Sequence, residues 1–575
     1  MPISCVSTQN RDYEGAEKHS SVNMNPRNVY VVFFAVVLTI WFLAIILLAT
    51  SLDNHLRRRY PGDDFIRRAQ SFRRTGLDKY GTKDHGLDVF DSPDLPKFPI
   101  DNRNDLPTIT LSTHAISQCH KALWHTLEST VYVLPNDETF VITGDIRDMW
   151  LRDSAAQIHP LLLPDVFGGK SLVQLDQRLE RVVSGLILKT SRLIRHDPYA
   201  NAFSLEIKNR TKFEKNALGR HGFVATRNYE LDSGCYFMRM LYFFYQNFPE
   251  HSTLQRREVK EAVEIMVDLW IAEQRHELEA YPSGKLFDCY ECGRSYWYNP
   301  NQMPRDGKGT KTNATAGLTW SGFRPSDEVC VYGYLIPANM FTVVVLGYMI
   351  QINHDLWGDE LLLTKMTKLR KDIQDGIDRY GIVHHEKYGK IYAYEVDGFG
   401  NYFLMDDANV PSLLSIPYLG YNYNEEIYEN TKRFIFSKDN PEYHNGFNEW
   451  TGEIEGIGSS HAHKKWETIP NDIWPMSIIM KGLVSKNVTE KVYLVHQLLQ
   501  ASATLGWMHE SFNANDPFNF TRSWFCWPDS LFAELVMSLS YDCPRPEIGK
   551  YTVKAWMDET LVPGSAFTQG ETEIK

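Results

Sequence analysis

Four short segments concentrate carboxylates, arginines, histidines and tryptophans beside glycine or proline. They cover residues 143–154 (TGDIRDMWLRDS), 320–328 (WSGFRPSDE), 395–418 (with the adjacent Asp406 and Asp407) and 506–512 (GWMHESF), the last followed by RSWFCW at 522–527. Any one of them taken singly fits a solvated loop or a buried ion pair. Aromatic rings with a polar edge suit both the apolar and the polar faces of a sugar. Together, the four segments are more typical of a polyol-binding cleft than of scattered surface.

Paired carboxyl groups are what hydrolysis of a glycosidic bond requires. One protonated carboxyl group donates to the leaving oxygen, and a second carboxylate attacks the sugar or activates water. The chain has many acidic candidates, and composition does not choose between them. The sequence contains no motif for serine hydrolase or zinc protease chemistry, because neither G-x-S-x-G nor H-E-x-x-H occurs. Cys289 and Cys292 have the spacing of half a zinc site, but no second C-x-x-C completes it, which favours a disulfide or two buried thiols.

A long apolar stretch near the N-terminus predicts a membrane anchor. Val29 to Thr50 carries no charge and is long enough to cross a bilayer as a helix. We therefore expect a cytoplasmic tail over 1–28, a transmembrane signal-anchor over 29–50 and a stem over 51–105. The stem is rich in Arg, Asp, Pro and Gly and has too little apolar surface to form a core.

The orientation of this anchor is contested within the sequence. The cluster of three arginines at 57–59 would keep the following domain in the cytoplasm by the positive-inside tendency. Four N-glycosylation sequons favour the opposite orientation, at Asn209, Asn313, Asn487 and Asn519. We favour a type II protein of the endoplasmic reticulum or Golgi with a lumenal catalytic domain.

The rest of the chain has the pattern of one large, mainly helical domain. Apolar residues recur at helical spacing with charges between them, as at Leu172, Leu175, Leu179, Val182, Val183 and Leu186, at Val259, Ala262, Val263, Met266 and Trp270, and at Val492, Val495, Leu499 and Ala503. Helical pairs closed into a toroid would fit the length. The formal charge of −12 argues against a nucleic-acid partner.

The same segments resemble a known family. GDIRDMWLRDSAAQ, WSGFRPSDEVCVYGYLIPANMF, YEVDGFGNYFLMDDANVPSLLSIPYLGY, GIGSSH, IWPM and MHESF are similar to glycoside hydrolase family 125, above all to its fungal branch of meiotically up-regulated gene 157 proteins. The resemblance covers roughly 105–545. It implies an (α/α)6 toroid over 106–545, followed by a C-terminal extension over 546–575. It also implies exo-α-1,6-mannosidase activity with inversion, without metal or cofactor, on a mannose-containing oligosaccharide or glycoprotein.

The resemblance also implies roles for individual residues. The acid aspartate of the family follows R-P-S, which here is Asp327, and its base glutamate lies in H-E-S-F, which here is Glu510. Inversion requires these two carboxyl groups to be roughly 6.5–9.5 Å apart, with a water between them. The candidate sugar ligands in the matching motifs are Trp150, Arg152, Asp153, Arg324, Asp406, Asp407, His461 and His509.

Two other functions stay open at this point. The toroid could bind mannose without cleaving it, although both key carboxyl groups are present. A type II membrane glycosyltransferase would share the predicted topology. Many such enzymes hold a nucleotide–metal complex with Asp-x-Asp, and no two aspartates here are separated by a single residue. Its absence weakens the transferase hypothesis and leaves metal-independent transferases open.

Overall fold

A computed structural model describes residues 111–164, 169–205, 223–276, 304–305, 309–461, 471–503, 505–540, 542–543 and 554–555. The predicted tail, anchor and stem lie outside the described residues, as do Asn209, Cys289 and Cys292. Within the described residues the α-helices are α1 Thr113–Thr130, α2 Leu151–Leu162, α3 Leu172–Leu175, α4 Gln177–His196, α5 Leu231–Asn247, α6 Arg257–Glu273, α7 Ile336–Ile352, α8 Glu360–Tyr380, α9 Ile416–Leu419, α10 Glu425–Ile435, α11 Pro475–Val484, α12 Val488–Ala501 and α13 Cys526–Met537.

Six of these helices form a closed ring. In ring order they are α2, α5, α7, α9, α11 and α13; each contacts the next, and α13 contacts α2 again. Longer helices that alternate with them along the chain pack around the outside: α1 on α13, α4 and α6 on each other and on α5, α8 on α7, and α12 on α11 and α13. The prediction of a mainly helical domain is confirmed, and the closed ring is the arrangement that the family resemblance implies.

The ring helices are buried on nearly all sides, because they form the core of the domain. Every residue of α2 and of α13 is buried. Helix α7 (IPANMFTVVVLGYMIQI), with the π-turn Asn353–Trp357 that follows it, is long and apolar enough to cross a membrane. Because 78% of its most apolar window is buried inside the protein, it is a core helix.

The outer helices are amphipathic, and α1, α4, α8 and α12 begin at side-chain caps. The predicted apolar faces are buried in α4, from Leu179 to Leu186, and in α6, from Val259 to Trp270. Two details differ from the pattern. The chain breaks at Asp176, whose carboxylate accepts the Arg178 N–H and starts α4, so Leu172 and Leu175 form a separate turn. Ala503 lies beyond the end of α12.

Short strands connect these helices. They are β1 Val131–Val133, β2 Thr139–Val141, β3 Met149–Trp150, β4 Ala202–Phe203, β5 Val224–Thr226, β6 Tyr334–Leu335, β7 Ile382–His385, β8 Gly389–Tyr392, β9 Glu395–Val396, β10 Tyr402–Phe403, β11 Tyr443–Asn448, β12 Gly452–Ile457, β13 Asp472–Ile473, β14 Ser511–Asn513, β15 Asp516–Thr521 and β16 Lys554–Ala555. Their sheets run β16-β1-β2, β3-β4-β5, β10-β9-β6, β7-β8, β11-β12 and β13-β14-β15.

The C-terminal residues are tied to the helical domain at two points. A disulfide joins Cys119 on α1 to Cys543, with 5.6 Å between their Cα atoms. Strand β16 pairs in parallel with β1, so that Lys554 lies opposite Tyr132. The predicted C-terminal extension, 546–575, therefore contributes a strand to a sheet of the helical domain.

Candidate active site

The cavity that gathers the candidate residues lies where the ring helices begin. Its volume is about 200 Å³, smaller than the roughly 300–1,000 Å³ of sites for drug-sized ligands. Its lining comes from the start of α2 (Trp150, Arg152, Asp153), α11 (Trp474) and α13 (Phe525, Trp527), and from the loops before α7 (Asp327) and α9 (Asn409). Helix N-termini carry partial positive charge, which favours carboxylates at this end of the ring.

Six of the ten predicted site residues line this cavity. They are Trp150, Arg152, Asp153, Asp327, His461 and Glu510. Asp327 and Glu510 come from segments 183 residues apart in the sequence, and only the closing of the ring brings them to one cavity.

The other four predicted residues do not line the cavity, and their contacts are with the protein itself. Asp406 is fully buried and its two oxygens accept the N–H groups of Leu413 and Leu414, at 2.7 and 3.0 Å. Burial raises the pKa of Asp406 to about 8, although hydrogen bonds from these two N–H donors act to lower it. His509 is buried and stacked on Phe520, and burial lowers its pKa to about 4, so its ring is neutral. Among the described residues neither side chain lines this cavity, so their expected role as sugar ligands stays a prediction.

Arg324 and Asp407 do not line the cavity themselves, but each forms a hydrogen bond with a residue that does. Arg324 donates to Glu395 at 2.5 Å, and its backbone carbonyl accepts the N–H of Asp327 at 3.0 Å. Asp407 accepts both the backbone and the side-chain N–H of Asn409, each at 2.8 Å, and the hydroxyl of Ser459. The geometry gives both residues a positioning role where the sequence pattern indicated a sugar contact.

Arg152 is the centre of a buried group of carboxylates. Its Nη1 donates to Glu230 at 2.6 Å and to Asp232 at 3.3 Å, and its Nε lies 3.4 Å from Asp153. Although burial works against the charge, these carboxylates raise the pKa of Arg152 further above its usual value. Burial in turn raises the pKa of Asp232 to about 6 and that of Glu230 well above its usual range, despite the attraction of the guanidinium.

Asp327 is held in an unusual backbone conformation. Its φ of +62° lies in the left-handed region that a non-glycine residue rarely adopts, and such strain clusters at functional sites. Its Oδ1 accepts a hydrogen bond from Asn201 Nδ2 at 3.1 Å. The position of Asp327 is therefore fixed by its backbone hydrogen bond to Arg324 and by the side-chain amide of Asn201.

Glu510 and Arg522 stand at the base of the β14–β15 hairpin, one directly before it and the other directly after it. Arg522 Nη1 donates to Glu510 Oε1 at 3.3 Å, while Nε and Nη2 bind Asp145 at 2.5–3.2 Å. Although burial opposes the charge, these two carboxylates raise the pKa of Arg522, so it stays protonated. The guanidinium of Arg522 therefore fixes the orientation of Glu510.

His461 also lines the cavity. Its Nδ1 lies 3.4 Å from Glu328 Oε1. Burial disfavours the charged imidazole, but the hydrogen bond to Glu328 and the nearby carboxylates of Glu510 and Asp327 raise the pKa of His461 above its ordinary value. In mildly acidic solution this ring therefore adds a positive charge and an N–H donor to the cavity.

With the geometry established, known proteins identify the family. The family described as metal-independent α-mannosidase (GH125) matches residues 113–537. The chain belongs to this family. It is a glycoside hydrolase of the α-mannosidase class, as the resemblance of its motifs implied. The Meiotically up-regulated gene 157 protein of Schizosaccharomyces pombe is 35% identical over 425 residues, which make up 72% of this chain and 78% of that protein.

A solved structure of the same family is also similar. It is a metal-independent α-mannosidase from Streptococcus pneumoniae in a non-productive complex with α-1,6-mannobiose. The two chains are 37% identical, and the superposition covers 74% of this chain and 93% of that one with a TM-score of 0.65. This similarity supports the same fold and the same class of enzyme for the two chains. The positions of individual residues follow from this chain's own contacts.

Several residues of this α-mannosidase site escaped the sequence analysis. Glu230 and Asp232 start α5 inside ELDSG, a pattern that fits an ordinary helix N-terminus. Asn201 precedes a two-residue strand and carries no signal of its own. Arg522 stood in a segment that attracted notice, but only the hairpin geometry shows that it contacts Glu510. A buried arginine needs acidic partners, which is the one signal that could have prompted a search for Glu230.

Proposed function

We propose that this α-mannosidase releases terminal α-1,6-linked mannose with inversion, using Asp327 as general acid and Glu510 as general base. The observation that carries the proposal is that both carboxyl groups line one small cavity. Their hydrogen-bond partners differ. Asp327 accepts a hydrogen bond from the neutral amide of Asn201, whereas Glu510 is paired with the guanidinium of Arg522.

In the proposed reaction, Asp327 gives its proton to the glycosidic oxygen as the bond to the anomeric carbon breaks. Glu510 takes a proton from a water that attacks the same carbon from the opposite face, which gives β-mannose. Asn201 and the backbone of Arg324 hold the acid, and Arg522 holds the base. The α-1,6 linkage is supported by the Streptococcus pneumoniae relative, whose structure contains α-1,6-mannobiose.

The linkage and the acid are tested with one set of substrates. The full-length chain, purified in detergent, is incubated with α-1,6-, α-1,2- and α-1,3-mannobiose, and release of mannose is expected chiefly from the first. Asp327→Asn should lower kcat/KM on α-1,6-mannobiose by about 10²–10⁴-fold. It should retain far more activity on a dinitrophenyl α-mannoside, whose leaving group needs no proton. Equal losses on both substrates would remove Asp327 from the acid role.

Glu510→Gln provides the complementary variant. Loss of the base should abolish hydrolysis of both substrates, while binding of mannose, followed by titration calorimetry, persists. Wild-type protein that binds mannose but cleaves none of the three disaccharides would favour the mannose-binding function over hydrolysis.

We further propose that the catalytic domain lies in the lumen of the endoplasmic reticulum or Golgi, anchored by residues 29–50. The Cys119–Cys543 disulfide supports an oxidising compartment. Two sequon asparagines are exposed: Asn487, whose Oδ1 caps α12 and leaves its Nδ2 for attachment, and Asn519 on β15. The arginine cluster at 57–59 is the opposing signal.

Protease protection in sealed microsomes tests this topology. The catalytic domain should resist digestion until detergent is added, and removal of N-glycans should increase its mobility. Asn487→Gln and Asn519→Gln each remove one candidate glycan. Digestion without detergent would place the domain in the cytoplasm.

A further inference from the structure

Asn201 is a buried amide directly before β4, and its backbone is tied to the start of α2. It is 1% exposed, and its carbonyl oxygen accepts the N–H of Leu151 at 3.0 Å. The next residue, Ala202, lies opposite Thr226 in the pairing of β4 with β5. The Asn201 side chain bridges β5 and the loop before α7, because it contacts both Thr226 and Asp327.

The contacts of the Asn201 side chain determine which of its two polar atoms faces Asp327. Its Oδ1 accepts the backbone N–H of Asn228 at 3.1 Å and the hydroxyl of Thr226 at 2.7 Å. A backbone N–H can only donate, so the atom that it meets must be the amide oxygen. The NH2 group therefore faces Asp327, whose Oδ1 accepts from Nδ2 at 3.1 Å.

The direction of this hydrogen bond constrains the protonated form of Asp327. An amide NH2 group donates and does not accept, whereas a protonated carboxyl group has one O–H donor and one carbonyl oxygen that accepts. A proton on Oδ1 would place an O–H opposite the N–H of Asn201. Oδ1 is therefore the accepting oxygen of the carboxyl group, which leaves Oδ2 to carry the proton.

We infer that Asn201, held by the hydroxyl of Thr226, assigns the acid proton of Asp327 to Oδ2, and that Asn201 and Thr226 are positioning residues for the acid. The inference rests on the proposed role of Asp327. Neither Asn201 nor Thr226 is among the described residues that line the cavity. Both therefore act through Asp327 and not on the sugar.

The proton balance closes within the proposed reaction. The Oδ2–H bond of Asp327 breaks, and its proton passes to the glycosidic oxygen as the bond from that oxygen to the anomeric carbon breaks. The carboxylate that remains still accepts the N–H of Asn201 on Oδ1, so the amide keeps its place throughout. The attacking water gives its proton to Glu510. Glu510 then releases that proton to solvent, and solvent returns one to Oδ2.

Asn201→Asp reverses the polarity of this contact with almost no change in shape. The new side chain still accepts from Asn228 and Thr226, but an acceptor replaces the NH2 group and draws the acid proton to Oδ1 of Asp327. With the full-length chain in detergent, kcat for α-1,6-mannobiose should fall about 10–10²-fold, with KM nearly unchanged. The rate on a dinitrophenyl α-mannoside should not fall, because its leaving group needs no proton.

Thr226 offers a milder variant with its own rescue. Thr226→Val removes one of the two donors to the amide oxygen, so kcat on mannobiose alone should fall about 2–10-fold, the worth of one hydrogen bond. Thr226→Ser restores the hydroxyl and should restore the rate. The matched control is Asn339→Asp, at a buried amide that donates to the carbonyls of Thr319 and Leu335. It should lower stability without changing the ratio of the rates on the two substrates.

An unchanged rate of Asn201→Asp on mannobiose, or equal losses on the two substrates, would overturn the inference. Asp327→Asn, measured in parallel, separates the two levels of the argument. Equal losses from Asp327→Asn would reject the acid itself, whereas a loss on mannobiose alone, without the same pattern in Asn201→Asp, would reject only the assignment of its proton. Should Asn201→Asp fail to fold, the Thr226 variants decide: a Thr226→Val variant as fast as the wild type, or a Thr226→Ser variant as slow as Thr226→Val, would contradict the inference.

Discussion

Replacing Arg152 by methionine should destabilise the protein in a strongly pH-dependent way. Arg152 is 3% exposed and is the charge partner of Glu230 and Asp232, with Asp153 beside it. Removing one partner from a buried ion pair costs about 3–5 kcal/mol, because the other charge is left uncompensated. We expect a loss of that size in the free energy of unfolding at pH 7.5.

The pH dependence follows from the direction of the pKa shifts. In the folded wild type, burial already raises the pKa of Asp232 to about 6 and raises the pKa of Glu230 and Asp153. A raised carboxyl pKa contributes stability that is present at low pH and is lost as pH rises through the folded-state value. Without Arg152 these pKa values rise further, so the variant folds with at least one more bound proton. Each such proton is worth about 1.4 kcal/mol per pH unit, or about 3 kcal/mol between pH 7.5 and 5.

Urea unfolding of the full-length chain, followed by tryptophan fluorescence at both pH values, measures this effect. Arg152→Met should lose about 3–5 kcal/mol at pH 7.5 and only about 0–2 kcal/mol at pH 5. The control is Arg181→Met, which removes an exposed ion pair with Asp137 and should cost at most about 1 kcal/mol at either pH. A penalty for Arg152→Met that does not change with pH would refute the buried-charge reasoning.

Three further predictions test the rest of the site. Arg522→Lys should lower kcat/KM on α-1,6-mannobiose by up to about 10²-fold, because a lysine cannot bind Glu510 and Asp145 at the same time as the guanidinium does. Activity within twofold of wild type would contradict this prediction. Gly144→Ala should lower both stability and kcat/KM, since a Cβ there would lie 2.7 Å from the Trp524 carbonyl oxygen at a φ of +125°. Gly400→Ala is its control, with a φ of +107° and open space, and should lower stability alone, by about 1 kcal/mol. Exhaustive chelation should leave activity unchanged, and a loss reversed by one added divalent ion would contradict metal independence.

The sequence predicts much of the scaffold because the scaffold follows from periodic burial. The apolar spacing of α4 and α6 is directly readable from the sequence, and the residues that it marks are buried. The closure of the ring could not be read in this way, because contacts such as those between α13 and α2 join helices that are far apart in the sequence. The family resemblance supplied that information.

The site was less predictable for a physical reason. Their places in the motifs predict that Arg324, Asp406, Asp407 and His509 lie near the catalytic carboxyl groups. The motifs do not distinguish a side chain that faces the cavity from one that contacts a neighbouring loop. Conversely, Glu230 lacks a motif and is identified only by the buried charge that it compensates. Paired buried charges are set by tertiary contacts, which residue spacing along the chain does not specify.

The central claim is an inverting mechanism with Asp327 and Glu510 as its acid and base. Proton NMR of the mannose first released from α-1,6-mannobiose, recorded before mutarotation, tests it most directly. β-Mannose as the initial product is the predicted result. α-Mannose as the initial product would show that Glu510 attacks the sugar itself or that another carboxylate does so, and would contradict its assignment as the base that activates water.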